Sequence, residues 1–337
     1  MKDNMNVSLP KVSVIIPIYN AMQYLHRTIS SILSQSFQDF EIICINDNST
    51  DNSSEVLKEF SSKDKRIKII NNVKNVGSAL SRNIGIDSAE GEYIYFIDAD
   101  DYIDEKYLEC MIDKIEKQKC DIVLNLSVQK VLNENISPYI HQSVPDIKQE
   151  GEFLDNITVI HNLPCFIWAR MYRKAYLNKY NIRFLDAKID DVEFNTIANM
   201  YTENTFVFYG ENYYYTNNSS SVMANAKSCD CLDMLHIKAY SLIFDYMKER
   251  GKFDDRIKLF RVYPFMKVDT EEKFVFYKKF FEKIENDFHN NESIYNELEK
   301  YFAYSILNTK NYGEYINNYN KVVTIGFLRH GKNKLRI

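Results

Sequence analysis

The stretch YIYFIDADDYIDEKY, Tyr93 to Tyr107, places carboxylates at Asp98, Asp100, Asp101 and Asp104 directly after a run of apolar and aromatic residues. Carboxylates crowded as Asp98, Asp100 and Asp101 are repel one another unless a cation or a set of hydrogen-bond donors lies between them. The plainer alternative is a strand ending in an acidic turn whose aspartate caps the next helix. One aspartate is enough for that.

These residues need a frame to hold them. VSVIIP (Val12 to Pro17) is a short, β-branched run, and the apolar positions Leu25, Ile29, Ile32 and Leu33 that follow have helical spacing. FEIICIND (Phe40 to Asp47) predicts a second strand, STDNSSEVLKEFSS a capped helix, and RIKIINN (Arg66 to Asn72) a third strand. VGSALSRNIGIDSA (Val76 to Ala89) predicts a helix, and EYIYFID (Glu92 to Asp98) a fourth strand. This βαβαβαβ order implies an α/β fold with a mainly parallel central sheet and helices on both faces, whose ligands sit beyond the carboxyl ends of the strands. The polar segments NDNSTD and DADD fall at those ends. Beyond them come one more strand, DIVLNLSV, a polar stretch at 129–151 expected to be a surface insertion, and the apolar WARMYRKAYL around Trp168. Residues 228–337 read as a mostly helical appendage, which leaves 1–227 as the main domain, with halves at about 10–128 and 150–227.

The chain has 337 residues, enough for one large domain with an appendage. A net charge of -5 carries no nucleic-acid footprint. The N-terminus lacks a secretory pattern and no apolar run approaches the ~20 residues of a membrane span, so a cytoplasmic protein is expected, soluble or peripheral at the inner face of the membrane. The basic C-terminus KVVTIGFLRHGKNKLRI mixes apolar residues with Arg329, Lys332, Lys334 and Arg336, as peripheral anchors do and as ordinary solvated tails also can. Of the six cysteines only Cys229 and Cys231 are close, and zinc spacing is absent, so reduced thiols are expected. The six histidines, His141 and His161 among them, form no metal pair at helical spacing.

A nucleotide is the default ligand of such a sheet. The dinucleotide-dehydrogenase alternative needs glycines in the first strand–helix turn, yet that turn is PIYNAMQYL and the first glycine of the chain is Gly77. VSVIIPIYNAMQYLHRTISSILSQSF, EIICINDNSTDNS and NVGSALSRNIGIDSAEGEYIYFIDADD, taken in order, resemble the consecutive signatures of family 2 glycosyltransferases, which have the GT-A fold; the resemblance covers roughly residues 10–225.

The resemblance implies a nucleotide-sugar donor, most readily a UDP-hexose or UDP-N-acetylhexosamine. Pro17, Tyr19 and Asn20 would cradle its base and ribose. The carboxylate of Asp47 can accept the imide N–H of uracil, or it can form an Asx turn into NSTD. Arg82 resembles the family's basic residue near the base and diphosphate. IDADD resembles the family's DxD motif, with Asp98 near the ribose or the ion's water shell and Asp100 bound to a Mn or Mg ion that bridges the donor phosphates. Asp101 would be a neighbour or a helix cap.

On the acceptor side the resemblance points to the pair Asp190 and Asp191, with Asp191 as the base for direct, inverting transfer; the same pair can simply cap the following helix. The face of Trp168, the only tryptophan, suits a sugar ring, or the residue belongs to the core. Arg170 resembles a position near the acceptor or diphosphate, and YYYTNNSSSV (Tyr213 to Val222) resembles a closing segment over the donor. The expected function is a metal-dependent transferase that adds one sugar to a glycan in bacterial surface polysaccharide synthesis. The alternatives are a polyprenyl-phosphate transferase at the membrane, whose partner would be lipid-linked, and a non-catalytic nucleotide-sugar scaffold.

Overall fold

The structure, a computed structural model, describes residues 9–132, 135–139, 147–148, 150–155, 159, 163, 165–185, 190–202, 204–217, 232–250, 268, 270–290 and 303–317. The chain divides into two compact units, 1–225 and 226–337.

In the first unit, β1 (Val12–Ile18) and β2 (Phe40–Asn46) are runs of β-branched and aromatic residues buried over nearly their whole length. Such a run has no solvent face and suits the interior of a parallel sheet. β1 pairs in parallel with β2 on one side and with β4 (Tyr93–Phe96) on the other, while β3 (Ile67–Asn71) lies beyond β2. The chain therefore moves one way from β1 to β3 and then returns past β1 to β4. Right-handed crossovers place α1 (Met22–Leu33) and α2 (Ser53–Lys63) on one face and α3 (Ser78–Ser88) on the other. The reversal between β1 and β4 is the switch point at which such sheets open a crevice. Val12 is in register with both Phe40 and Tyr93, so Tyr19 and Asp47 leave the sheet side by side and the turn through Asp100 comes level with them.

The sheet continues through elements that the sequence pattern shows less plainly. Its order is β3-β2-β1-β4-β10-β6-β11-β9, where β6 is Ile122–Asn125, β9 Glu152–Asp155, β10 Arg170–Arg173 and β11 Asn204–Phe208. β10 is antiparallel to both its neighbours, β4 and β6. WARMYRKAYL thus holds a central strand followed by the short helix α5 (Lys174–Lys179). A smaller sheet has the order β5-β12-β7-β8, with β5 at Tyr102–Ile103, β7 at Val128–Leu132, β8 at Asn135–Pro138 and β12 at Tyr213–Thr216. The polar stretch 129–151 is therefore not wholly irregular: it contributes the β7–β8 hairpin, whose outer strand is exposed throughout. Helices α4 (Tyr107–Lys117) and α6 (Asp190–Tyr201) complete the described part of the unit.

Gly85 sets how closely α3 lies on β1, since a Cβ there would meet Ile15 Cγ2 well inside van der Waals contact. Gly85→Ala is expected to destabilise the protein by about 1–3 kcal/mol, the usual cost of overfilling a packed core, despite alanine's better helix propensity. A raised or unchanged midpoint in urea unfolding would contradict this.

The second unit is helical where described, with α7 (Leu232–Glu249), α8 (Glu271–Asn290) and short helical segments at 303–307 and 312–317. Tyr277, Phe281, Ile306 and Tyr315 are buried in it. Lys278 Nζ donates to the carbonyls of Leu307 at 3.2 Å and Thr309 at 2.6 Å, closing the end of the 303–307 turn. No described helix is long and apolar enough to cross a membrane. The basic tail, His141, His161, Cys229 and Cys231 lie outside the described residues.

Candidate active site

After β1 the chain turns at Asn20, whose φ of 51° lies in the left-handed region that asparagine tolerates better than most residues. Its Oδ1 accepts from the Thr50 amide at 2.8 Å, and its own amide donates to Ser49 Oγ at 3.1 Å, which locks the loops after β1 and β2 together. Pro17 is half-buried within β1, while Tyr19 remains 52% exposed and offers a ring face at the sheet edge.

Asp47 sits at the end of β2 and is 3% exposed. Its Oδ1 accepts from Asn72 Nδ2 at 2.7 Å and the Val76 amide at 2.9 Å, and its Oδ2 from the Gly77 amide at 2.8 Å. Gly77 has φ 88°, which is why glycine opens this helix. The carboxylate thus fastens the turn into α3, and an incoming imide N–H would have to share oxygens that already accept three bonds.

Arg82, on α3, is 4% exposed and is not the solvated arginine that a helix surface would give. Nη2 donates to Asp98 Oδ1 at 2.7 Å, while Nη1 donates to Asp190 Oδ2, which also accepts from Ser78 Oγ at 2.8 Å. One guanidinium therefore ties the turn after β4 to the first residue of α6. Burial opposes its charge, but Asp190, Asp98 and Asp191 together hold its pKa above the ordinary value.

The three crowded aspartates have separate surroundings. Asp98 keeps 31% side-chain exposure and Asp100 is half-buried. Asp101 is fully buried, accepting from Tyr213 Oη at 2.5 Å and from the Thr216 amide at 2.7 Å. Burial first, and then the charges of Asp100 and Asp98, push the Asp101 carboxyl well above the usual carboxylate range. Asp101 fastens β12 through both of its carboxyl oxygens. The backbone of the turn is held from α1: Thr28 Oγ1 donates to the Ala99 carbonyl at 2.9 Å, and Arg27 Nη2 to the Asp100 carbonyl at 2.8 Å and to Thr216 Oγ1 at 2.8 Å.

On α6, Asp190 is buried against Arg82, while Asp191 retains some exposure. Desolvation, then Asp190, raise the Asp191 carboxyl well above the carboxylate range, against the pull of Arg82. The pair opens its helix, but Asp190 also binds across the site, which a cap would not do.

Trp168 is 3% exposed and stacks with Phe166 at 4.3 Å and Tyr213 at 4.2 Å. No face is left for a sugar, so the core reading of this residue holds. Arg170 is 1% exposed within β10, and its Nη1 donates to the Phe166 carbonyl at 3.3 Å. From this buried position it supports the Trp168 segment. The first residues of the expected closing segment form β12; those from 218 onward lie outside the described residues.

A cation fits this donor set. Among the described residues no group of three or more His, Cys, Asp and Glu could hold a metal alone. A hard ion that bridges phosphates needs only one or two carboxylates, because the phosphates and water supply the remaining oxygens. Asp98 and Asp190 share the single guanidinium of Arg82, and the half-buried Asp100 stands two residues from Asp98, so the carboxylates here outnumber the cation. Sequence reasoning missed Arg27, Thr28 and Ser78, and gave Tyr213 only as the start of a closing segment; their contacts span between 71 and 189 positions and have no local pattern.

Residues 13–180 match the model of glycosyl transferase family 2. The glycosyltransferase GlyA of Streptococcus pneumoniae is 35% identical over 153 residues, 45% of this chain and 21% of GlyA. The uncharacterized glycosyltransferase EpsJ of Bacillus subtilis is 28% identical over 222 residues, 64% of this chain and 63% of EpsJ. The chain thus spans less than two thirds of either relative. Among solved structures, S. aureus TarS 1–349 in complex with UDP-GlcNAc superposes with a TM-score of 0.66 at 19% identity, over 94% of this chain and 92% of that one. At that identity the likeness is one of fold, and it supports the GT-A architecture.

Proposed function

The chain belongs to glycosyl transferase family 2 through residues 13–180, and on that premise we propose that it moves one sugar from a nucleotide sugar, a UDP-hexose or UDP-N-acetylhexosamine, to a hydroxyl of a glycan with inversion. The observation that carries this reading is the buried Arg82 bridge, which brings Asp98 and the Asp190–Asp191 pair together at the carboxyl edge of the sheet. Two acidic groups with different tasks then face one crevice.

On the donor side, Tyr19 offers a ring to the base and Asp47 holds the turn that shapes its pocket. Asp98 and Asp100 would hold a Mn or Mg ion, which when bound neutralises the negative charge of the departing diphosphate. Arg82 keeps Asp98 in place. On the acceptor side, Asp191 takes the proton of the attacking hydroxyl. Asp190, bound to Arg82 and Ser78, fixes the first turn of α6 so that the neighbouring carboxylate points at the acceptor. Synthesis of a bacterial surface polysaccharide fits the organisms of the relatives, and a cytoplasmic placement fits where nucleotide sugars are available.

UDP release is the direct test. Incubation with UDP-glucose, UDP-galactose and their N-acetyl forms plus Mn is expected to liberate UDP from at least one donor. EDTA should stop the release and excess Mn restore it. Absence of release from all four donors would reject the proposal, and release that ignores EDTA would remove the cation from it.

A further inference from the structure

We infer that the partly open rings of Tyr215 and Phe166, backed by buried Trp168, form the platform on which a pyranose ring of the acceptor packs beside Asp191. The inference rests on the transferase reading above and adds a recognition surface to it.

Successive side chains of a strand alternate, so Tyr213 and Tyr215 share one face of β12. Tyr213 reaches Asp101 with its hydroxyl at 2.5 Å, and the amide of Thr216 bonds the other oxygen of the same carboxylate at 2.7 Å. Tyr215 therefore stands between two residues already bound to the aspartate turn. Trp168 lies nearly parallel to it at 5.7 Å and 13°, and Phe166 continues the stack from Trp168. Tyr139 meets Phe166 at 5.3 Å and Tyr215 at 6.3 Å edge-on, which closes one side. Tyr213 and Trp168 are buried, whereas Tyr215 and Phe166 keep solvent-facing surface.

The other end of this wall reaches the backbone of the helix that carries the base. The carbonyl of Cys165, next to Phe166, accepts from Asn195 Nδ2 at 2.7 Å, and the same nitrogen donates to the Asp191 carbonyl at 3.0 Å. The aromatic surface thus runs from the Asp98–Asp101 turn to the first turn of α6. A sugar caught between a departing diphosphate and Asp191 must lie along that line. Pyranoses carry an apolar face of axial C–H groups that packs on aromatic rings, while their hydroxyls point outward to polar groups. Because the wall ends against the base helix, its occupant is the acceptor and not the donor. Burial, and then Asp101, Asp98 and Asp100, push the Tyr215 phenol up to about 12, in keeping with its nearness to those carboxylates.

Saturation-transfer NMR tests the platform directly. The full chain is held with UDP and Mn, its aromatic protons are saturated, and methyl glycosides of glucose, galactose and N-acetylglucosamine, both anomers, are added as probes. At least one glycoside should show saturation confined to the C–H protons of one ring face. The effect should persist in Tyr215→Phe, which keeps the ring, and vanish in Tyr215→Ser. Phe166→Ser supplies the same contrast should Tyr215→Ser unfold, as thermal unfolding would reveal. No saturation of any glycoside in the wild type, equal saturation in the serine variants, or loss in Tyr215→Phe would overturn the inference. The UDP-release assay is independent of these outcomes: no release together with Tyr215-dependent saturation would reject the transferase reading alone, and release without such saturation would reject the platform alone.

Discussion

Asp100→Ala is expected to abolish Mn-dependent binding of UDP while leaving the fold intact. Asp100 lies in the turn beyond β4, half-exposed, and what holds the turn in place is its backbone: Arg27 binds the Asp100 carbonyl and Thr28 the Ala99 carbonyl, bonds that survive loss of the side chain. The neighbouring Asp101 provides the contrast. Its carboxylate is buried against Tyr213 and Thr216, so Asp101→Ala should strand two buried donors and lower stability by roughly 1–3 kcal/mol or more. In the proposed ion site, removing Asp100 instead halves the carboxylates that would be offered to a hard cation, and turnover should fall by roughly a hundredfold or more, given the several kcal/mol such an ion contributes against developing charge. Calorimetry with UDP and Mn, paired with thermal unfolding, separates the two variants. Unchanged affinity in Asp100→Ala would take that residue out of the ion's site.

The half of the sheet built from β1 to β4 was legible because buried parallel strands read as continuous apolar runs and their connecting helices have clear spacing. β10 was not, since RMYR places two arginines in four residues and becomes a central strand only because β4 and β6 flank it. Its burial is a tertiary fact. The same division runs through the site. Crowded charges made Asp98–Asp101 and Asp190–Asp191 visible in the chain, as did the family resemblance, but which of them are linked depends on Arg82 reaching across 108 positions to Asp190. The sequence alone leaves Trp168 open between core and ligand face, and its neighbours Phe166 and Tyr213 decide the matter. Asp47 shows a subtler limit: its position at a strand end was readable, whereas its three bonds to the 72–77 turn were not.

Asp191→Asn is expected to lower transfer by roughly a hundred- to ten-thousand-fold, the loss typical of removing a general base. UDP affinity should barely change, because the proposed donor contacts come from β1, β2 and the turn after β4, whereas Asp191 stands on α6. An amide has nearly the same shape and cannot take a proton. The pH profile gives a second, independent reading. Burial and the adjacent Asp190 raise the Asp191 carboxyl well above the carboxylate range, so the acid stays protonated to higher pH than an ordinary aspartic acid. Since only the ionised form can act as base, kcat/KM should fall on acidification at a pH above the usual carboxylate range, and this limb should be missing from the residual activity of the Asn variant. The stability sign is opposite: a raised folded pKa favours the protonated form, so its contribution to stability is present at low pH and is lost as pH rises through the folded value. The wild type should then gain activity over the same interval in which this residue stops contributing to stability. Stereochemistry completes the test, because attack from the face opposite the departing UDP converts an α-linked donor into a β-linked product. An α linkage in the anomeric proton spectrum, or full activity in Asp191→Asn, would assign the base elsewhere.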